Sequence, residues 1–275
     1  MKTPDSRFAA ILRSLSLTRR ARLVACGVCL LSLTGLPAAQ AQTDDFNDGN
    51  DTGWTRYDPL GALGSPATYS FPGGNTYRIQ AGVSPNPGVV GPGRAGSIHT
   101  DQAYSDFSVS FDLVNWDNAQ DQAFGVLARI SQPGLGTTDG YAFTYTTDGS
   151  IQISRILNEA ASTVGGAVVT LNPANDYRFV FTGNGSSLSG AVFDLANLST
   201  PVATASGTDA TYASGFLGFI VFDNSPTGTG TPDANFDNYS ASVVPEPSTL
   251  GLLFVGGLGL LGLAVRRQVS SRNSS

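Results

Sequence analysis

The chain has 275 residues, a formal net charge of -6 and a hydrophobic content of 41%, with 33 glycines and 15 prolines. Residues 42–243, called the body below, hold six arginines and no lysine against 18 aspartates and one glutamate, a net charge of -13. So acidic a surface disfavours nucleic acid and anionic lipid as partners and suits an extracellular module or a binder of cations. The body also lacks cysteine, which excludes a disulfide within it, and its 202 residues are enough for one sizeable domain with a hydrophobic core.

Residues 1–41 have the composition of a signal peptide. A basic segment with Lys2 and five arginines precedes the apolar stretch 23–36, and Ala39-Gln40-Ala41 fits a small-x-small cleavage site. Both cysteines of the chain lie in this leader. A loose twin-arginine motif leaves the export route open. We therefore predict export and a mature chain that begins near Gln42.

The body alternates apolar and polar residues with a period of two. In 107–113, phenylalanine, valine and leucine alternate with serine and aspartate, which predicts a strand with one buried and one solvated face. The same alternation recurs in 124–130, 141–145, 151–153, 177–181 and 216–222. Asp148-Gly149 and Asn184-Gly185 favour tight hairpin turns between neighbouring strands. No stretch of the body has a convincing helical apolar face, and the nearest, 157–164, is short and ends at two glycines.

About a dozen short strands separated by Gly, Pro and Asn predict an all-β fold, a two-sheet antiparallel β-sandwich of the jelly-roll type over 42–243. Three segments, 140–153, 177–181 with the following hairpin, and 215–239, resemble the concanavalin A-like and laminin G-like jelly rolls. The opening Asp44-Asp45-Phe46 is similar to that group too, in which the first and last strands often pair. The resemblance rests on spacing and residue type, so it supports the fold more than any activity.

Residue types that most catalysis requires are scarce in the body. It holds one histidine, His99, and one glutamate, Glu159, and neither cysteine nor lysine. Most acid–base and nucleophile arrangements therefore cannot be assembled, and we predict no enzyme activity. The alternative is a polysaccharide hydrolase or lyase, for which Asp112 and Asp117 beside Trp116 are the candidate acids.

Aspartates crowd the start of the body and predict a structural calcium site. Asp44, Asp45 and Asp48 lie close together in sequence, and Asp237 joins them if the first and last strands pair. Oxygen ligands on loops are what calcium requires. The alternative is a solvated acidic loop in which Asp and Asn side chains only serve turns.

Aromatic and arginine side chains predict how the sandwich binds sugar. Trp54 and Trp116 fall in loops or at strand ends, where a ring face can cover the apolar face of a pyranose. Arg129 stands out in so acidic a body, and an arginine fork can grip the carboxylate of a uronic acid. The alternatives are packing in the core for the tryptophans and pairing with a nearby aspartate for the arginine.

The last thirty residues contain three consecutive features. Pro245-Glu246-Pro247 precedes an uncharged run, 248–265, and Arg266-Arg267 follow it. At a rise of about 1.5 Å per residue, a helix over this run is about 27 Å long and reaches across the hydrocarbon core of a bilayer. We predict one transmembrane helix over 248–265, with 268–275 as a cytoplasmic tail, because the paired arginines stay inside.

Residues 244–267 resemble the bacterial PEP-CTERM sorting signal, with Pro245, Glu246 and Pro247 as the matching motif and Arg266 and Arg267 as the basic cluster. The resemblance implies sorting by an exosortase, a membrane enzyme of Gram-negative-type bacteria whose envelope also makes extracellular polysaccharide. An ordinary membrane anchor with chance prolines is the alternative.

Together these features predict an exported, exosortase-sorted protein of the cell envelope or the biofilm matrix. It is anchored through its C-terminal helix before processing and lies at the cell surface afterwards. Its partners are exosortase and extracellular polysaccharide, which a non-catalytic β-sandwich binds. The alternative is a structural or adhesive surface protein for which sugar is irrelevant.

Overall fold

The computed structural model describes residues 41–244, so the predicted leader up to residue 40 and the predicted span 248–265 lie outside it. Within the described segment, no helix is long and apolar enough to cross a membrane. Its helical elements are two 3-10 turns, Gly61–Leu63 and Pro72–Gly74, and one four-residue helix, α1 (Pro87–Val90). Fifteen strands make up the rest of the regular structure: β1 (Gln42–Asp44), β2 (Trp54–Tyr57), β3 (Thr68–Ser70), β4 (Tyr77–Gln80), β5 (Arg94–Tyr104), β6 (Phe107–Trp116), β7 (Gln122–Ser131), β8 (Asp139–Thr146), β9 (Ser150–Leu157), β10 (Ala160–Val168), β11 (Tyr177–Asn184), β12 (Ser187–Asp194), β13 (Ala203–Thr208), β14 (Gly215–Asp223) and β15 (Asp233–Val243).

These strands form two antiparallel sheets, which confirms the predicted β-sandwich. The eight-stranded sheet has the order β13-β12-β11-β6-β15-β4-β3, with β1 paired to β15. The seven-stranded sheet has the order β10-β9-β8-β7-β14-β5-β2. The pairing of β1 with β15 sets Asp44 opposite Tyr239, so the first and last strands do pair.

The main hydrophobic core lies between the two sheets. Alternate residues of β6 and β11 point into it, as the period of two predicts, and Phe111 and Phe179 stack there with their ring centroids 5.0 Å apart. Phe219 of the seven-stranded sheet stacks on Phe236 of the eight-stranded sheet at 4.4 Å. An aromatic pair adds roughly 1 kcal/mol beyond the area that it buries, so the Phe219–Phe236 pair helps to fix one sheet against the other.

One local prediction is wrong. In 216–222 the alternation predicts that Phe216, Ile220 and Phe222 face the core, but the core residues are the ones between them, such as Phe219. Nearly every residue of this strand is apolar or small, so no polar position shows which face is buried. Residues 157–164, where the helical pattern was not convincing, form the hairpin between β9 and β10.

A β-bulge in β7 moves one residue from the core to the outer face. The register with β8 shifts between Ala128 and Ser131, and Arg129 takes a positive φ of 49°. Since a bulge adds one residue to one strand, it reverses the side to which the next residues point. Ile130 therefore joins a second hydrophobic cluster, on the outer face of the seven-stranded sheet.

Each of the fifteen strands has its partner strand within residues 41–244. Both hydrophobic clusters are also built from residues of this segment. We therefore expect residues 41–244 to fold when expressed alone, with cooperative thermal unfolding as the check.

Candidate functional site

The predicted calcium ligands lie where β1 ends, beside β15. Burial raises the pKa of Asp237, and the negative charges of neighbouring aspartates, Asp44 and Asp45 among them, raise it further. Burial likewise raises the pKa of Asp44, and the charges of Asp48 and Asp45 add to the rise. The structure therefore brings these carboxylates into one region of negative potential.

Oxygens of the same residues already serve the local turn. Asp45 and Asp48 accept hydrogen bonds from the backbone amides two residues further on, at 3.1 and 3.2 Å. Asp44 Oδ2 accepts a hydrogen bond from Trp54 Nε1 at 2.7 Å. In residues 41–244, no group of three or more His, Cys, Asp or Glu side chains is arranged to hold a metal ion. Calcium bound by Asp44, Asp45, Asp48 and Asp237 stays a prediction.

The three predicted sugar-binding side chains are buried. Trp54 is 9% exposed, Trp116 5% and Arg129 1%, and the Trp54 ring stacks on a core phenylalanine at 5.0 Å. Arg129 donates from Nε to the Ser105 carbonyl at 2.8 Å and from Nη1 to the Tyr212 carbonyl at 2.9 Å. A sugar cannot reach ring faces that are packed in a core. The structure therefore corrects this prediction: these residues stabilise the sandwich and its loops.

The two candidate acids are held by other contacts. Arg178 donates from Nε and Nη2 to the two carboxylate oxygens of Asp112, at 2.7 and 2.8 Å. Asp117 accepts a hydrogen bond from the Ala119 amide at 2.8 Å and so caps a turn. His99 is partly exposed, as its position in a strand predicts, and burial lowers its pKa. Asp112 is thus committed to an ion pair and Asp117 to a turn.

A groove that the sequence did not predict lies on the outer face of the seven-stranded sheet. It encloses about 530 Å³, within the range of small-molecule sites. We call it the outer groove. Its floor is aliphatic and comes from four adjacent strands, and its sides are the segment around α1 and the hairpin between β9 and β10. The floor residues are Leu127, Ala142, Ile156 and Ile220.

Two glycines allow close approach of neighbouring strands in this sheet. Gly96, Ile220 and Gly125 lie side by side on three neighbouring strands. A Cβ atom at either glycine would overlap the carbonyl oxygen of the adjacent strand, that of Phe219 for Gly96 and that of Phe143 for Gly125. Both positions therefore require glycine.

Arg94 lies at one end of the outer groove and is itself 8% exposed. Its Nε and Nη2 atoms donate to the two carboxylate oxygens of Glu159 at 2.8 and 2.6 Å, a bidentate ion pair. Its Nη1 atom donates to the carbonyls of Val90 and Pro92 at 2.8 and 2.9 Å. One guanidinium thus connects β5, the segment around α1 and the hairpin between β9 and β10.

Glu159 is the only glutamate of the body, and its carboxylate is fully engaged. The Tyr57 hydroxyl and the Gly136 amide donate to it in addition to Arg94. Burial opposes ionisation, but the hydrogen bonds from Arg94, Tyr57 and Gly136 outweigh it and hold the pKa of Glu159 below its ordinary value of 4.5. Glu159 therefore remains an anion paired with Arg94.

The backbone at this glutamate is in an unfavourable conformation. Asn158 and Glu159 form the turn between β9 and β10 with φ values of 51° and 65°. This left-handed region is uncommon for residues other than glycine, and for a glutamate it costs about 1 kcal/mol or more. Because glycine would satisfy the turn better, the contacts of the Glu159 side chain account for its presence.

Two residues with hydroxyl groups border the floor of the outer groove. Thr144 on β8 and Ser154 on β9 are 4% and 9% exposed, and Ser154 lies directly across from Ala142. Both line the groove, and neither hydroxyl is among the buried polar atoms that lack a hydrogen-bond partner within residues 41–244. Each hydroxyl can donate one hydrogen bond and accept others, so the groove offers polar contacts beside its aliphatic floor.

One signal in the sequence did point to this face. In β7 and β14 the positions between the core residues are glycine or aliphatic, as in Gly125, Leu127, Gly218 and Ile220, whereas a solvated face would carry polar residues. The period of two in these runs predicts ordinary strands with one buried face. The Arg94–Glu159 pair gave no such signal, since the two residues lie 65 positions apart.

At the C-terminus, residues 243–268 match the PEP-CTERM protein-sorting motif. This confirms the resemblance of Pro245, Glu246, Pro247 and the arginine pair to that signal, and it indicates an exported protein. No curated protein matches the chain in sequence. The motif residues from 245 onwards lie outside the described structure.

Solved structures similar to this chain are jelly rolls of several functional classes. The carbohydrate-binding module CBM66 from Bacillus subtilis covers 70% of this chain and 97% of its own, with 16% identity and a TM-score of 0.50. The basic winged bean lectin with Tn-antigen covers 75% and 99%, with 12% identity and a TM-score of 0.53. The GH43 protein BlXynB from Bacillus licheniformis covers 74% of this chain but only 39% of its own, with 15% identity and a TM-score of 0.51.

At such identities the likeness establishes the fold and leaves open whether the chain is catalytic, since both non-catalytic and hydrolase proteins share it. The chain thus combines a concanavalin A-like jelly roll, of the kind found in lectins and carbohydrate-binding modules, with a C-terminal PEP-CTERM sorting motif.

Proposed function

We propose that this protein is exported, sorted by an exosortase through its C-terminal motif, and binds extracellular carbohydrate without catalysis in the outer groove. The observation that carries the binding half is the groove itself, an amphipathic site of about 530 Å³ on a fold shared with lectins and carbohydrate-binding modules. An apolar floor with a few polar groups is the usual composition of a small-ligand site.

The chemistry of the groove supports binding over hydrolysis. Glycoside hydrolysis uses two carboxyl groups, one of which is protonated to act as an acid. Among the described residues that line the groove, Glu159 is the only carboxylate. It is paired with Arg94 and its pKa is lowered, which is the opposite of what a general acid requires.

Retention on polysaccharide tests the binding half. Residues 41–244 are passed over the polysaccharide of the producing organism, with and without added calcium. Ala161→Trp places an indole at the edge of the groove, where Ala161 is exposed, and we expect it to weaken retention roughly tenfold or more. Ala196→Trp is the matched control, because Ala196 is equally exposed in the connection between β12 and β13.

Two results would contradict the binding proposal. One is the absence of retention of the unmodified segment in both calcium conditions. The other is retention that Ala161→Trp and Ala196→Trp change to the same extent. Self-association in sedimentation that Ala161→Trp abolishes, without any sugar binding, would instead favour the structural or adhesive alternative.

Cell fractionation tests the sorting half independently. We expect the full chain to reach the cell surface or the medium when it carries Pro245, Glu246 and Pro247. The Glu246→Ala variant is expected to accumulate unprocessed in the inner membrane. Identical distribution and size of the two chains would refute sorting through this motif while leaving the groove untouched.

A further inference from the structure

We infer that the outer groove selects neutral glycans that carry methyl groups, such as 6-deoxy or acetylated sugars. This inference rests on the proposed function and adds the chemical class of the ligand. It follows from three properties of the groove, which are its charge, its floor and the two hydroxyl groups that border the floor.

The charges at the groove neutralise each other. Arg94 and Glu159 form a bidentate pair, and the other bonded donors of Arg94 go to backbone carbonyls. No other charged side chain is present among the described lining residues. A carboxylate on the ligand would therefore find no free cation, and the net charge of -13 on the body would repel it. This excludes the uronic acid that Arg129 had suggested.

The floor favours methyl groups over hydroxyls. Leu127, Ala142 and Ile220 form a continuous aliphatic surface beneath the groove. A sugar hydroxyl placed on it would lose its water partners without gaining new ones, whereas a methyl group gains contacts. Each methyl group buried there strengthens binding about fourfold. The substituents that supply methyl groups in polysaccharides are the 6-deoxy position and the acetyl ester or amide.

Thr144 and Ser154 supply the polar contacts that such a ligand needs. Both hydroxyls border the aliphatic floor on neighbouring strands. Each can donate one hydrogen bond and accept others. A ring oxygen or an acetyl carbonyl beside a buried methyl group would satisfy them.

Pairs of sugars that differ in one methyl-bearing substituent test this inference. L-Mannose carries a hydroxyl on C6 where L-rhamnose has a methyl group, and alkaline deacetylation replaces each acetyl group of an acetylated xylan by a hydroxyl. Binding of residues 41–244 is measured calorimetrically to the two monosaccharides and by retention on the xylan before and after deacetylation, with polygalacturonate as the anionic arm. We expect the loss of each methyl-bearing substituent to weaken binding at least about fourfold and polygalacturonate not to bind.

Ile220→Ser in the groove should reduce the preference for the methylated partner while leaving weaker binding of the other. Val180→Ser is the matched control, since Val180 is half-buried on β11 of the other sheet, away from the groove lining.

The outcomes separate the two proposals. Equal binding within each sugar pair, preferential binding of polygalacturonate, or a preference that Ile220→Ser leaves unchanged would overturn the methyl selectivity and leave carbohydrate binding intact. Failure to bind any of these glycans and the host polysaccharide would overturn the proposed function itself. Preference in one sugar pair only would identify which methyl source, deoxy or acetyl, the groove accepts.

Discussion

The two sheets of this sandwich face outwards with different chemistry. On the eight-stranded sheet the outward residues of β6 are the polar Ser108, Ser110 and Asp112, which alternate with the core; the two serines are half-buried, and Asp112 is buried beneath Arg178. On the seven-stranded sheet every residue of β7 except the last is buried, and its outward positions carry Gly125 and Leu127. An antiparallel sheet needs only one apolar face to fold, so the second apolar face requires another explanation.

The two outer faces also use their ion pairs differently. On the eight-stranded sheet the Arg178 side chain is 35% exposed and lies over the Asp112 side chain, which is 2% exposed. On the seven-stranded sheet both partners, Arg94 and Glu159, have side chains only 9% and 12% exposed. The first pair covers a strand and has one partner in contact with water, whereas the second is enclosed and connects the segments that form the groove. This difference supports the proposal that the ligand binds on the seven-stranded sheet.

The largest expected effect is that of Glu159→Ala. The substitution leaves Arg94 buried without its partner and removes the acceptor for Tyr57 and Gly136, so we expect a loss of about 3 kcal/mol, or roughly 9 °C in Tm. Thermal unfolding of residues 41–244 measures it. Asn158→Gly is the control: it relieves the positive φ next to Glu159 and should leave stability equal or higher. An unchanged Tm for Glu159→Ala would mean that the Arg94–Glu159 ion pair does not stabilise the folded segment.

The sequence predicts which residues of a strand point into the core only where the other face of that strand is polar. In β6, β8 and β11 the core residues, such as Phe111, Phe143 and Phe179, were predicted correctly because polar or small residues separate them. The hairpins at 148–149 and 184–185 and the pairing of β1 with β15 were also correct. Alternation sets the phase of a strand only when one of its faces is wet.

The outer groove was not predicted for the same physical reason. β14 is apolar at nearly every position, so alternation does not show which of its residues face the core, and the outward Ile220 was assigned to the core. Trp54 and Trp116 were assigned to a binding surface because sequence does not distinguish a rim tryptophan from a core one. The Arg94–Glu159 contact depends on long-range register, which local patterns do not contain.

A smaller effect is expected from Arg178→Ala on the other outer face. Its removal lets water reach the Asp112 carboxylate, which also keeps its hydrogen bond from Asn238 Nδ2 at 3.0 Å. We therefore expect a loss of about 1 kcal/mol, because Arg178 is itself 35% exposed and its removal opens Asp112, otherwise 2% exposed, to water. The free energy of unfolding in urea, compared with that of Glu159→Ala, measures the contrast. Equal losses at the two pairs would show that the outer faces do not differ as described.

The smallest expected effects are those of pH and of Asp237→Asn on β15 of the eight-stranded sheet. Folding raises the pKa of Asp237 above 3.8, chiefly by burial and then through nearby carboxylates, so the folded state binds the proton more tightly than the unfolded state. Its contribution to stability therefore increases as the pH falls from neutral through the raised pKa. The contribution of Glu159 to stability changes with pH in the opposite direction. Folding lowers the pKa of Glu159 below 4.5, so this residue stabilises the fold at neutral pH, and the stabilisation is lost as the pH falls below 4.5 and through the lowered pKa. We expect maximal stability at mildly acidic pH.

Asp237→Asn isolates the first of these two contributions. The amide oxygen still accepts from the Asn238 backbone amide, a bond of 2.7 Å, while the negative charge is removed. We expect Tm to rise by about 2 °C at pH 7 and the gain to vanish near pH 3, where the aspartate is protonated anyway. Added calcium should raise the Tm of the unmodified segment more than that of Asp237→Asn if the predicted calcium site forms. A lower Tm for Asp237→Asn at pH 7 without calcium would show that the carboxylate is needed for folding and that repulsion among these aspartates does not limit stability.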